Sequence, residues 1–190
     1  MIPKALKEDT HRTKGKYKTR YVITGYLFDR IYRPMVTFRM CQATAGSSLL
    51  KPVHYYFRWL HKMACNRAGI DLPWTTKIAG GFKMTHGWGI VINKDAVIGK
   101  NVTFFNGATL GRRDKISADG ERLTLYPTIE DEVWVGPHAI IVGGLTIGKG
   151  SRIAGGAFVT ESIPPYSTVS GNPAVIIRSN TTPDVFNPVP

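Results

Sequence analysis

Between residues 129 and 159 an aliphatic side chain returns at every sixth position: Ile129, Val135, Ile141, Ile147, Ile153 and Val159. Gly136, Gly148 and Ala154 directly follow three of them. Upstream, Ile78, Met84 and Ile90 keep the same step, and Ile98, Phe104 and Leu110 resume it after a two-residue slip. A period of six matches neither the 3.6 of a helix nor the 2 of a strand. It fits a coil of short parallel strands wound into a triangular prism, with about 18 residues per turn and one inward side chain per face. The expected fold class is mainly β. A left-handed parallel β-helix spans 71–177, behind a short N-terminal helical segment at 21–70. Left-handed winding is an exception to the usual crossover rule.

The ladder stops between Leu110 and Ile129. Residues 112–127 are polar, charged and too long for a corner, so they read as a loop leaving the prism. In the lead, Tyr21–Cys41 and Lys51–Ala68 have helical spacing, with Thr44–Ser48 as their connection. Tyr56, Leu60, Met63 and Ala64 share one face of the second helix, and Gly69 is its stop signal. Residues 1–20 are polar and basic and read as a mobile arm. The Pro-rich tail at 178–190 is expected to lack regular structure.

Charge sharpens this division. The chain carries +12 overall. Residues 1–70 hold 14 Lys/Arg against 3 Asp/Glu, whereas 71–190 hold 11 against 10. The basic lead therefore suits an anionic partner, such as a saccharide or the inner face of a membrane. Nucleic acid is not expected, because no recognition motif accompanies the charge. The two cysteines, Cys41 and Cys65, form no metal-ligand or redox spacing, and no metal is expected. There is no apolar signal region and no run long enough to span a bilayer, so the expected location is cytoplasmic.

Several spaced motifs share a likeness. The hexapeptide ladder, Val133-Trp134-Val135-Gly136 and the closing string IPPYSTVSGNPAVII resemble the hexapeptide-repeat acyltransferases. IDLPWTTKI, THGWGIVIN, AVIGKNV and ATLG resemble the serine acetyltransferases and their capsule and exopolysaccharide O-acetyltransferase cousins. The likeness covers about residues 70–177. It implies acetyl-CoA as donor, a homotrimer, and direct attack of an acceptor hydroxyl assisted by a general base. His86, in MTHGWG, matches the base of the serine acetyltransferase branch, and imidazole changes charge near neutral pH. Asp71, 15 residues upstream, matches its carboxylate partner. Gly111, Arg112, Pro137, Gly155 and Gly156 lie by position along the acetyl-CoA path, with Arg152 and Arg178 for its phosphates. His138 follows a corner glycine and faces outward, towards that path or plain solvent. Asn106 and Trp88 are candidate acceptor contacts.

Two departures bear on the acceptor. The serine acetyltransferases carry a second Asp–His pair. This chain has Thr85 in place of the Asp and Tyr126 in place of the His. Their joint loss, with the short helical lead, implies a saccharide acceptor, a polysaccharide or a lipid-linked intermediate. Serine O-acetylation is the alternative, and a non-catalytic scaffold the competing class.

Overall fold

The computed structural model describes residues 2–190. Four helices come first: α1 (Lys4–Lys14), α2 (Thr19–Phe28), α3 (Tyr32–Thr44) and α4 (Lys51–Ala68). The coil then runs through β1 (Lys77–Ile78), β2 (Lys83–Thr85), β3 (Val91–Ile92), β4 (Val97–Ile98), β5 (Thr103–Phe105) and β6 (Thr109–Gly111). A hairpin, β7 (Arg113–Ile116) and β8 (Arg122–Leu125), interrupts it. The coil resumes with β9 (Thr128–Ile129), β10 (Trp134–Val135), β11 (Ile140–Val142), β12 (Thr146–Ile147), β13 (Arg152–Ile153), β14 (Phe158–Val159) and β15 (Thr168–Ser170). Finally β16 (Val175–Arg178) folds back antiparallel on β15.

Successive strands visit three faces in turn. The first holds β1-β4-β9-β12, the second β2-β5-β10-β13-β15-β16, and the third β3-β6-β11-β14. This is the left-handed parallel β-helix that the six-residue period implies. The inward side chains stack in three columns: Ile78–Ile98–Ile129–Ile147, Met84–Phe104–Val135–Ile153–Val169 and Ile92–Leu110–Ile141–Val159. All are buried. Gly136 and Gly148 sit where the next coil crosses, since a Cβ would lie 2.6 Å from the Gly155 nitrogen in the first case and 2.7 Å from the Pro165 Cα in the second. The slip falls earlier than the sequence spacing suggests. Met84 is followed by Ile92, not Ile90, in the inward ladder, and Ile90 is a buried corner residue whose neighbour Val91 binds Ala108 O.

The lead differs from expectation in three ways. The supposed mobile arm contains α1, which docks at the base of the prism. Asp9 and Arg12 are 0% and 1% exposed. Asp9 accepts from Arg39 Nε and Nη2 of α3 at 2.7 and 3.2 Å and from the Phe82 amide at 2.9 Å. Arg12 donates to Gly81 O, Asn101 O and Thr103 Oγ1, and to the Phe186 carbonyl of the tail. Second, the helix expected over Tyr21–Cys41 breaks at Asp29, whose Oδ1 accepts from the Ile31 and Tyr32 amides and caps α3. Third, α4 has the expected limits, but its inward side overlaps the apolar face read from the sequence only in part, keeping Ala64, leaving Leu60 and Met63 half-buried and turning Tyr56 out. His61, Ala64, Cys65 and Ala68 are buried, whereas Tyr56 is 56% exposed. The excursion at 112–127 is the β7–β8 hairpin rather than an open loop. The tail is irregular, as expected, yet held: Asn101 exchanges hydrogen bonds with Val189, and Asp184 meets Arg152 at 3.1 Å.

Candidate active site

The edge between the second and third faces carries the chemistry. In later coils this corner is uniform. Gly107 N donates to Trp88 O, His138 N to Asn106 O and Gly156 N to Pro137 O, at 2.8–2.9 Å. Gly89, Gly107, His138 and Gly156 thus form one column, all with positive φ between 57° and 70°. The first coil is the exception. Its two extra residues lie between Met84 and Ile92, and the bulge pushes His86 (φ 52°) into the open.

His86 faces a cleft of about 480 Å³ between this bulge and the helical lead, lined by Asp29, Arg30, Tyr32, Lys83, Thr85 and Trp88 among others. Asp29 and Arg30 were not among the sequence candidates. Their signal was a polar pair interrupting an otherwise helical apolar run. The cap fixes one Asp29 oxygen, and the other lies 3.5 Å from Lys14 Nζ. Burial, with Arg12 nearby, lowers the pKa of Lys83.

An aromatic wall continues from His86 along the second face. Its ring centroid lies 6.5 Å from Phe105, Phe105 lies 4.7 Å from Trp134, and the Arg152 guanidinium stacks 4.4 Å over Trp134. Around the corner, Trp88 meets His138 edge-on at 5.8 Å, and His138 Nε2 lies 3.2 Å from Asn106 Nδ2. His86, Trp88, Asn106 and His138 therefore cluster at one edge, which Pro137, Gly155 and Gly156 continue.

Other candidates lie apart. The strand position of Asp71 adjoins Val91, one coil from the His86 bulge. Its exposed carboxylate lines a second cleft with Tyr55, Arg58 and Lys62, and among the described residues no hydrogen bond or ion pair joins it to His86. Gly111 ends β6 where the hairpin departs, and a Cβ there would lie 2.7 Å from Val142 Cγ1, so close packing explains it. Arg112 is exposed at the hairpin foot, 3.7 Å from Asp114. Tyr126 is half-buried at the hairpin's return, and Arg178 is exposed on β16. Among the described residues no group of His, Cys, Asp and Glu could hold a metal ion.

Residues 126–161 match the family described as bacterial transferase hexapeptide (six repeats). The chain is 38% identical to a serine acetyltransferase of Bacillus licheniformis over 112 residues, 59% of this chain and 50% of that protein. It is 34% identical to that of Bacillus subtilis over 128 residues, 66% of this chain and 57% of that one. It therefore spans about half the length of these curated relatives. Among solved structures, serine acetyltransferase from Brucella abortus in complex with coenzyme A superposes with a TM-score of 0.72 at 25% identity, covering 94% of this chain and 68% of that one. That of Vibrio cholerae gives 0.70 at 26% identity, covering 94% and 66%. In sequence and fold the chain is similar to these serine acetyltransferases, and residues 126–161 carry the hexapeptide repeat. These findings overturn the saccharide acceptor, and with it the likeness to capsule and exopolysaccharide enzymes, since the relatives are serine acetyltransferases. A missing second Asp–His pair was too narrow a basis for changing the acceptor class.

Proposed function

We propose that this chain is an acetyl-CoA-dependent serine O-acetyltransferase with His86 as general base. The carrying observation is the bulge that sets an exposed imidazole into a cleft at the head of a small-residue corner. The serine hydroxyl oxygen attacks the thioester carbonyl carbon while His86 takes its proton. The tetrahedral adduct then expels the CoA sulfur, which recovers that proton from the imidazolium, giving O-acetylserine and CoA. Asp71 is the carboxylate partner of His86 by likeness to the serine acetyltransferases alone; its side chain lines the neighbouring cleft and makes no hydrogen bond to His86 among the described residues.

Acetyl-CoA fits the corner because Gly155 and Gly156 leave it unobstructed; a Cβ at Gly156 would meet nothing within 4 Å. Pro137 continues that path, and Arg152 and Arg178 are its cationic candidates. The likeness to hexapeptide-repeat transferases supports a trimer in which this edge meets a neighbouring prism.

The test is CoA thiol release by the purified chain with acetyl-CoA, with and without L-serine. Serine-dependent release is expected, and His86→Asn should lower kcat by about 10²–10⁴-fold with an unchanged melting temperature. Absence of serine-dependent release, or full activity in His86→Asn, overturns the proposal.

A further inference from the structure

The outer face of α4 is unusual for a surface helix. Leu49, just before the helix, is 87% exposed, and Tyr55, Tyr56 and Trp59 on it are 63%, 56% and 56% exposed. The rings touch one another: Tyr56 stacks on Trp59 at 6.2 Å, and Arg58 lies 5.6 Å over Tyr55. At 3.6 residues per turn, Trp59 falls about opposite the buried His61–Ala64–Cys65–Ala68 side. Tyr55 and Tyr56 lie roughly 40–60° to either side of it. Lys51, Arg58 and Lys62 line one margin of this aromatic arc, and Arg67 the other. The segment 30–70 contains seven Lys/Arg and no Asp or Glu. Asp71, at the prism edge, shares a cleft with Arg58 and Lys62 but pairs with neither.

We infer that α4 is a peripheral docking helix for an anionic lipid surface. Tyr and Trp favour the headgroup region, where the ring is buried and the polar tip stays wet. Flanking Lys and Arg lay their stems along the apolar zone and hold their charges at the phosphates. An acid-free face is complementary to such a surface. The same face on a second copy would set cations against cations. The exposed aromatic arc singles out this helix, because the first 20 residues expose cations such as Lys16, Lys18 and Arg20 but no comparable ring. None of these α4 residues lines the His86 cleft, although Tyr55, Arg58, Trp59 and Lys62 border the cleft that holds Asp71.

The experiment is co-sedimentation of the full chain with vesicles of phosphatidylcholine alone and of phosphatidylcholine mixed with phosphatidylglycerol. Binding is expected to the mixed vesicles only, and to fall when salt is raised to about 1 M, where the screening length is only about 3 Å. Each of Lys51→Gln, Arg58→Gln and Lys62→Gln should weaken it about fivefold. Trp59→Ser should weaken it while leaving the melting temperature unchanged, because the side chain is exposed. Equal binding to both vesicle types, or native-like binding by the variants, overturns the inference. So does an α4-dependent oligomer in solution, dissolved by Trp59→Ser, with no vesicle affinity.

Discussion

At the residue scale, two histidines show how little a residue type says without its surroundings. His86 is exposed at a bulge, whereas His61 is 5% exposed, between α3 and the start of the coil. His61 Nε2 lies 2.7 Å from Leu72 O, so that nitrogen carries the proton, and Nδ1 accepts from the Thr37 hydroxyl at 2.9 Å. Burial lowers the pKa of this imidazole, although contacts to the Leu72 and Pro34 backbone oppose the shift. The neutral ring is therefore the folded form. Its contribution to stability is complete above the unfolded value of about 6.5 and is lost as pH falls from there through the lower folded value. The melting temperature should accordingly decline on acidification from neutral pH, with a shallower decline in His61→Phe measured against its own neutral value. Parallel acid limbs in the two proteins would show that another group titrates. What separates the two histidines in the sequence is context: His86 stands beside glycines in MTHGWG, whereas His61 falls within the helical spacing of Lys51–Ala68.

At the scale of elements, the strands were legible and the helix faces were not. A six-residue period has one geometric solution, so the inward columns follow from spacing alone. Only Ile90 was placed wrongly, because a bulge shifts register without changing composition. For α4 the sequence spacing gives one apolar face, Tyr56–Leu60–Met63–Ala64, and packing on α3 rotates the buried side to His61–Ala64–Cys65–Ala68. The corner column makes a sharper test. Gly107 has φ 68°, and a Cβ there would overlap the His138 ring. Gly107→Ala should therefore cost about 1–3 kcal/mol, from the left-handed backbone and from displacing the imidazole. His138→Gly removes the second cause only. In its background the same substitution should cost less, by roughly 0.5–2 kcal/mol in a double-mutant cycle from urea melts. Additive effects would mean that His138 does not rest on Gly107. Within the ladder itself, Ile153→Asp places an unpaired carboxylate in a dry stack and should cost several kcal/mol, read in the same way.

At the scale of the whole molecule, the basic lead had been given a single role, and the structure divides it. Charge asymmetry was plain in the sequence, but net charge cannot separate a buried cation from an exposed one. Arg12 and Arg39 are structural, whereas the cations of α4 face solvent. Arg12 joins three parts of the chain that are remote in sequence: α1, the Gly81–Thr103 base of the prism, and the tail at Phe186. Arg12→Met keeps most of the stem but leaves three carbonyls and the Thr103 hydroxyl without this donor. An unpaired buried acceptor costs about 1–3 kcal/mol, and partial relaxation keeps the total near ~3–5 kcal/mol. Amide exchange should then accelerate selectively in the tail, at Val189 above all, whose N–H is held by Asn101 beside the Arg12 site. Lys16→Met, a substitution of an exposed cation in the same lead, should change neither stability nor tail exchange. If exchange in the tail were equally fast in native protein and Arg12→Met, the tail would be held without Arg12, by contacts such as those of Asn101, Lys100 and Asp184. The buried arginine would then clamp only α1 to the prism, and the tail would open without loosening the base.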